Sequence, residues 1–94
     1  MAKFRCVISV EAITFEEFID YGLKHANNIV NDRPWFFTYE NARVTHETDE
    51  CYLIVTNEGE NLTMTVHDVL VKIDGSLIVC DKDLFYNFAE RIDL

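Results

Sequence analysis

Apolar and polar residues alternate from Lys3 to Ile13, with Phe4, Cys6, Ile8 and Val10 on one side and Arg5, Val7, Ser9 and Glu11 on the other. A period of two predicts a β-strand with one buried face. The spacing then changes. From Phe15 the apolar positions fall at Phe15, Phe18, Ile19, Leu23, Ala26, Ile29 and Val30, one face of a helix near 15–30. Thr14 and Glu17 mark its start as a capping box, in which each side chain accepts from the other's backbone amide. Glu16 and Glu17 also suit the positive end of a helix dipole. Asn27 and Asn28 weaken its end, and Asn31-Asp32-Arg33-Pro34 stops it.

After Pro34 the pattern becomes that of strands. Trp35–Tyr39 is aromatic-rich, and Asn41–His46 reads as a second short strand or an irregular crossing. His46–Glu50 is polar and acidic and reads as a turn. Cys51–Thr56 predicts a strand, Asn57-Glu58-Gly59-Glu60 a hairpin turn, and alternation of Leu62, Met64 and Val66 the returning strand. His67-Asp68 marks a corner. Asp74-Gly75, a favoured two-residue turn, joins Val69–Ile73 to Leu77–Cys80. Asp81 caps a last helix near 82–91, with Asp83 in its first turn and Leu84, Phe85, Phe88 and Ile92 as its buried stripe. The expected fold is α+β: a curved antiparallel sheet of about five or six strands, packed by the main helix and the short C-terminal one. No repeat or linker divides the sequence, so a single domain over 1–94 is expected.

Composition adds two constraints. Almost half of the 94 residues are apolar, enough to build a core without disulfides. Seventeen carboxylates against eight Lys and Arg give a formal net charge of −9, a field that disfavours direct binding of nucleic acid. The acidic surface either confers solubility or docks on a basic surface of another protein. No apolar run is long enough to span a membrane, and Met-Ala-Lys-Phe-Arg lacks the apolar stretch of a signal peptide; a cytoplasmic protein is expected.

Candidate chemistry is sparse, and an enzyme is not expected. Cys6, Cys51 and Cys80 are far apart in apolar runs, without the CxxC or HxxxH pairs of zinc sites, and read as buried thiols. With glycine only at 22, 59 and 75, no glycine-rich phosphate loop can form. Neither a cofactor nor a metal is expected. His46 and Cys51 are close in sequence, but Glu47, Asp49 and Glu50 oppose a thiolate there. In His67-Asp68 the Asp reads as a turn residue bonding its own backbone, and His25 suits the negative end of the helix. Glu16 with Asp20, and Glu58 with Glu60, read as solvated pairs rather than acid–base dyads. Asn61-Leu62-Thr63 matches a glycosylation sequon, read as chance without a signal peptide.

Alternation sends Trp35, Phe37 and Tyr39 one way and Phe36 and Thr38 the other. So small a domain cannot easily bury both sets, which leaves two readings: core, or an exposed aromatic strip for a partner or flat ligand. The candidate partner-binding residues are Trp35, Phe37, Tyr39, Glu47, Asp49, Glu50, Glu58 and Glu60. A nucleotide-type ligand would instead need Arg33, Arg43 and Lys72 to meet its phosphates.

Val-Ile-Ser-Val-Glu-Ala-Ile (7–13) followed by an amphipathic helix resembles the opening of a group of small phage and prophage proteins. His67-Asp68-Val69-Leu70-Val71-Lys72 and Gly75–Phe85 resemble their closing hairpin and helix. The group has Gly before that Asp and an aromatic after it, where His67 and Val69 stand here. The resemblance implies the fold and a phage source, and brings no agreed site with it. By association it implies a small acidic protein that binds and inhibits a host protein, such as a defence factor. A sponge for a nucleotide signal and a phage assembly or accessory protein are the alternatives, and a homo-oligomer stays open.

Overall fold

A computed structural model describes residues 10–91, and side chains as far as Asn87. The predicted strand over 3–9 and the predicted burial of Phe4, Cys6, Phe88 and Ile92 lie outside those bounds. The architecture is α+β, with two helices and antiparallel strands. In chain order the elements are β1 (Val10–Thr14), α1 (Phe15–His25), β2 (Ile29–Val30), β3 (Arg33–Pro34), β4 (Phe36–Tyr39) and β5 (Ala42–Thr48). There follow β6 (Cys51–Val55), β7 (Asn61–Thr65), β8 (Asp68–Ile73), β9 (Ser76–Asp81) and α2 (Lys82–Arg91). The strands divide into three hydrogen-bonded groups: β4-β5-β6-β7, β1-β8-β9 and the small β2-β3 hairpin.

The capping box forms as the sequence predicts. Thr14 Oγ1 accepts from the Glu17 amide at 3.2 Å, and Glu17 Oε1 accepts from the Thr14 amide at 3.0 Å. These bonds hold the Glu17 carboxyl below its usual range. The helix then runs to His25 rather than to Val30. Ala26 leaves it in an extended conformation, φ −78° and ψ 146°. Asn31 and Asp32 both adopt left-handed conformations, φ 52° and 60°, and turn Ile29–Val30 back onto Arg33–Pro34. Asn and Asp tolerate this geometry better than most residues, so the segment closes as a two-residue hairpin. Glu40-Asn41 and Asp74-Gly75 make the same kind of turn, with positive φ at all four residues.

The register of the four-stranded sheet places Phe37, Tyr39, Val44, Tyr52, Ile54 and Met64 on one face. Helix α1 covers this face. Phe18 is its centre, with ring centroids 5.2 Å from Phe37, 5.4 Å from Tyr39 and 6.2 Å from Tyr52. Tilted and edge-on contacts of this kind add about 0.5–1.5 kcal/mol each beyond burial. From β1, β8 and β9, Ile13, Leu70, Leu77 and Val79 reach the same core. The opposite face of β8 is also apolar, with Val69 and Val71 buried, whereas Ile78 beside Val71 on β9 stays 43% exposed. Helix α2 lies on that second face. Phe85 is half-buried there, but Leu84, expected in the buried stripe, is 66% exposed at the open lip of a groove it shares with Ile78 and Val71. Asp81 caps this helix, its Oδ1 accepting from the amides of Asp83 and Leu84 at 3.0 and 3.1 Å.

Two further expectations need correction. The stretch His46–Glu50 is not all turn: β5 continues to Thr48, and only Asp49-Glu50 turns. A register shift between His46 and Thr48 inserts one extra residue, Glu47, into the strand. Cys51 and Cys80 are half-buried rather than buried, both as free thiols; Cys6 lies outside the described residues.

Gly22 fixes the distance between helix and sheet. A Cβ placed there would stand 2.6 Å from Phe37 Cε1 and 2.7 Å from Pro34 Cγ. Alanine would raise helix propensity by up to about 1 kcal/mol, yet overpacking of a filled core costs about 1–3 kcal/mol. Gly22→Ala should therefore lower the urea midpoint without changing the slope; equal or higher stability would show that this contact is not tight.

Candidate functional site

The order of the strands puts the hairpin tips at two opposite ends of the four-stranded sheet. The Asp49-Glu50 turn and the approach from Pro34 to Phe36 share one end. The Glu40-Asn41 and Asn57–Glu60 turns share the other. A strand of five or six residues separates the two by roughly 17–20 Å. The sequence-predicted binding residues split accordingly. Trp35, Glu47, Asp49 and Glu50 come together at the first end, whereas Glu58 and Glu60 stand at the second. Phe37 is buried and Tyr39 half-buried under α1, where burial and then Glu40 push the Tyr39 phenol up.

The first end is built inward from Tyr52. Its ring is fully buried and its hydroxyl donates to the Pro34 carbonyl at 2.7 Å, a bond worth about 1 kcal/mol. His46 sits edge-on to Tyr52 at 5.4 Å and stacks face to face with Trp35 at 4.6 Å, with the planes 9° apart. The pairing of strands explains the stack: the His46 amide donates to the Trp35 carbonyl at 2.9 Å, continuing the β4–β5 ladder, so the two side chains are direct cross-strand neighbours. His46 Nε2 lies 2.8 Å from Asp49 Oδ1, and Arg33 Nε donates to the Asp49 carbonyl at 3.2 Å. Six residues thus hold one another, and the exposed members are Trp35 and Asp49.

The segment that carries Trp35 is apolar and exposed to a degree the sequence pattern did not reveal. Ile29 is 48% exposed, Val30 45%, Trp35 43% and Phe36 49%. Four of the seven large exposed hydrophobics among the described residues therefore lie between positions 29 and 36. Ile29 and Val30 match helical spacing with Ala26, which hides their role. The signal that could have exposed it is Val30-Asn31-Asp32-Arg33, a two-residue hairpin whose turn residues accept left-handed φ. Asp32, Glu47, Asp49 and Glu50 are all exposed near this patch.

The residues proposed for an anionic ligand do not converge. Arg33 is half-buried at the first end. Arg43 is exposed on the uncovered face of the four-stranded sheet. Lys72 binds Glu40 Oε2 at 2.9 Å near the far end, and that bond raises its pKa. Asp68 accepts from the amide and hydroxyl of Thr65 at 2.9 and 3.0 Å, as a turn Asp. Among the described residues the buried side chains are apolar apart from the Tyr52 phenol, and no three metal-binding side chains gather. No helix among them is long and apolar enough to cross a membrane. Neither the protein-family models nor the curated proteins nor the solved structures contain a match to this chain.

Burial pushes the Tyr52 phenol up to about 12, with Arg33 opposing and Asp49 adding to it. Its unfolded value is about 10, so folding favours the protonated form. The stability this contributes is complete below about pH 10 and is lost as pH rises toward 12. Tyr52→Phe should be less stable than the wild type by about 1 kcal/mol at neutral pH, having lost the Pro34 bond. That gap should narrow between pH 10 and 12 in urea titrations; a constant gap would contradict the placement of this phenol.

Proposed function

We propose that this chain works by binding a protein with a basic surface, through the end formed by Ile29, Val30, Trp35 and Phe36. The supporting observation is the exposure of Ile29 and Val30 on the β2–β3 hairpin and of Trp35 and Phe36 just after it, at the same end of the sheet as the carboxylates of Asp32, Glu47, Asp49 and Glu50. An apolar centre containing an aromatic anchor, rimmed by charge, is the common composition of a protein-binding patch. The net charge of −9 attracts a basic partner over distance and speeds encounter. The resemblance to small phage proteins makes the partner a host protein, such as a defence factor, and the outcome of binding its inhibition. No catalytic step is part of this reading.

A tagged chain in host lysate, compared at low and high salt, tests the proposal. One protein should be retained at low salt, released at high salt and lost with Val30→Asp or Trp35→Ala. With the isolated partner, Glu47→Lys/Glu50→Lys should reduce the association rate by about tenfold or more. Retention unaffected by Val30→Asp and Trp35→Ala would remove this end of the molecule as the binding surface. Association rates unchanged by charge reversal would remove the electrostatic part.

A further inference from the structure

The Trp35 indole is backed on one side by a parallel ring, and the chemistry around it selects among the groups that stack on such a surface. One face is covered by His46, stacked at 4.6 Å and 9°. The 43% of Trp35 that remains exposed therefore belongs to its second face and its edges. His46 is braced in its turn, because Asp49 holds Nε2 at 2.8 Å and the Tyr52 ring packs perpendicular to it at 5.4 Å. Tyr52 is itself tied to Pro34, the residue before Trp35. The shelf is thus braced by contacts made before any partner arrives, and such bracing lowers the ordering cost of binding.

A nucleobase carrying phosphate, another aromatic ring, a lysine or an arginine could approach this face. Phosphate is repelled by the four carboxylates nearby, against which Arg33 supplies one positive charge while its Nε is used on the Asp49 carbonyl. A neutral ring draws nothing from those carboxylates. Lysine is attracted, but its ammonium is compact and strongly hydrated. Arginine is planar, weakly hydrated and always charged; it can lie on the indole and still direct N–H groups toward carboxylates. We infer that Trp35 is the seat for an arginine side chain of the partner protein. This rests on the proposed binding end and specifies what that end recognises.

Trp35 is the single tryptophan of the chain, so indole fluorescence reports on this seat alone. Acetyl-Gly-Arg-Arg-Gly-amide should change that fluorescence saturably at low salt. The Lys-Lys counterpart should bind more weakly, by up to about two- to fivefold, the full worth of an exposed cation–π contact, and the uncharged citrulline counterpart weaker still. In Trp35→Leu, followed through the amide resonances of residues 46–50, the preference for arginine over lysine should disappear while salt-sensitive attraction remains. Equal binding of the Arg and Lys peptides, both salt-sensitive, would overturn the arginine seat and leave the basic-partner reading in place. Absence of binding by either peptide would overturn both.

Discussion

Pro34 is held from two sides, and the rest of the molecule is arranged around that grip. On one side the helix approaches so closely that position 22 has no room for a β-carbon, which would meet Pro34 and Phe37 within 3 Å. On the other, the Tyr52 hydroxyl donates to the Pro34 carbonyl from inside the core. Because Pro34 must sit there, the chain leaving α1 at Ala26 has only seven residues in which to turn out and return (27–33). The Asn31-Asp32 turn accomplishes this. Its consequence is that Ile29 and Val30, too few residues from the core edge to be folded under it, face outward. The same grip sets Trp35 one step past the core, between Asn28, whose carbonyl accepts from its amide, and His46, on which its ring stacks.

Local rules in the sequence foretold the elements whose physics is local. The Thr14–Glu17 capping box, the Asp74-Gly75 turn and the Asp81 cap each depend on groups within three residues of one another, and all three form. The main helix was legible at its start and not at its end. Ile29 and Val30 satisfy helical spacing, yet the helix ends at His25 and Ala26 is already extended. The bulge at Glu47 was equally hidden: an acidic stretch reads as a turn, whereas pairing with β6 keeps it in a strand. Leu84 misled for a related reason, since helical periodicity says which residues share a face but not how much sheet lies beneath it.

The candidate site was legible in part. Trp35 with Glu47, Asp49 and Glu50 could be named from composition, and the structure brings them to one end. Glu58 and Glu60 have the same chemistry but belong to the opposite hairpin tip, a separation that follows from strand direction rather than residue type. Phe37 and Tyr39 alternate with Phe36 as expected, and burial falls on the face that Phe18 covers. What composition alone could not supply was the support behind Trp35: a buried phenol, a carbonyl, an imidazole and a carboxylate drawn from four segments between residues 34 and 52. A surface tryptophan held in this way differs from one that is merely exposed, because its ring plane is set in advance.

The central claim is that this ring is open to solvent and lies in a negative field. Collisional quenching of Trp35 fluorescence by caesium and by iodide, at constant low ionic strength and normalised to free tryptophan amide, tests it directly. Carboxylates at Asp32, Glu47, Asp49 and Glu50 should concentrate the cation and exclude the anion within about a Debye length. The account predicts quenching by caesium well above that by iodide, with the difference shrinking as salt is added. Equal quenching by both ions, or protection from both, would contradict it.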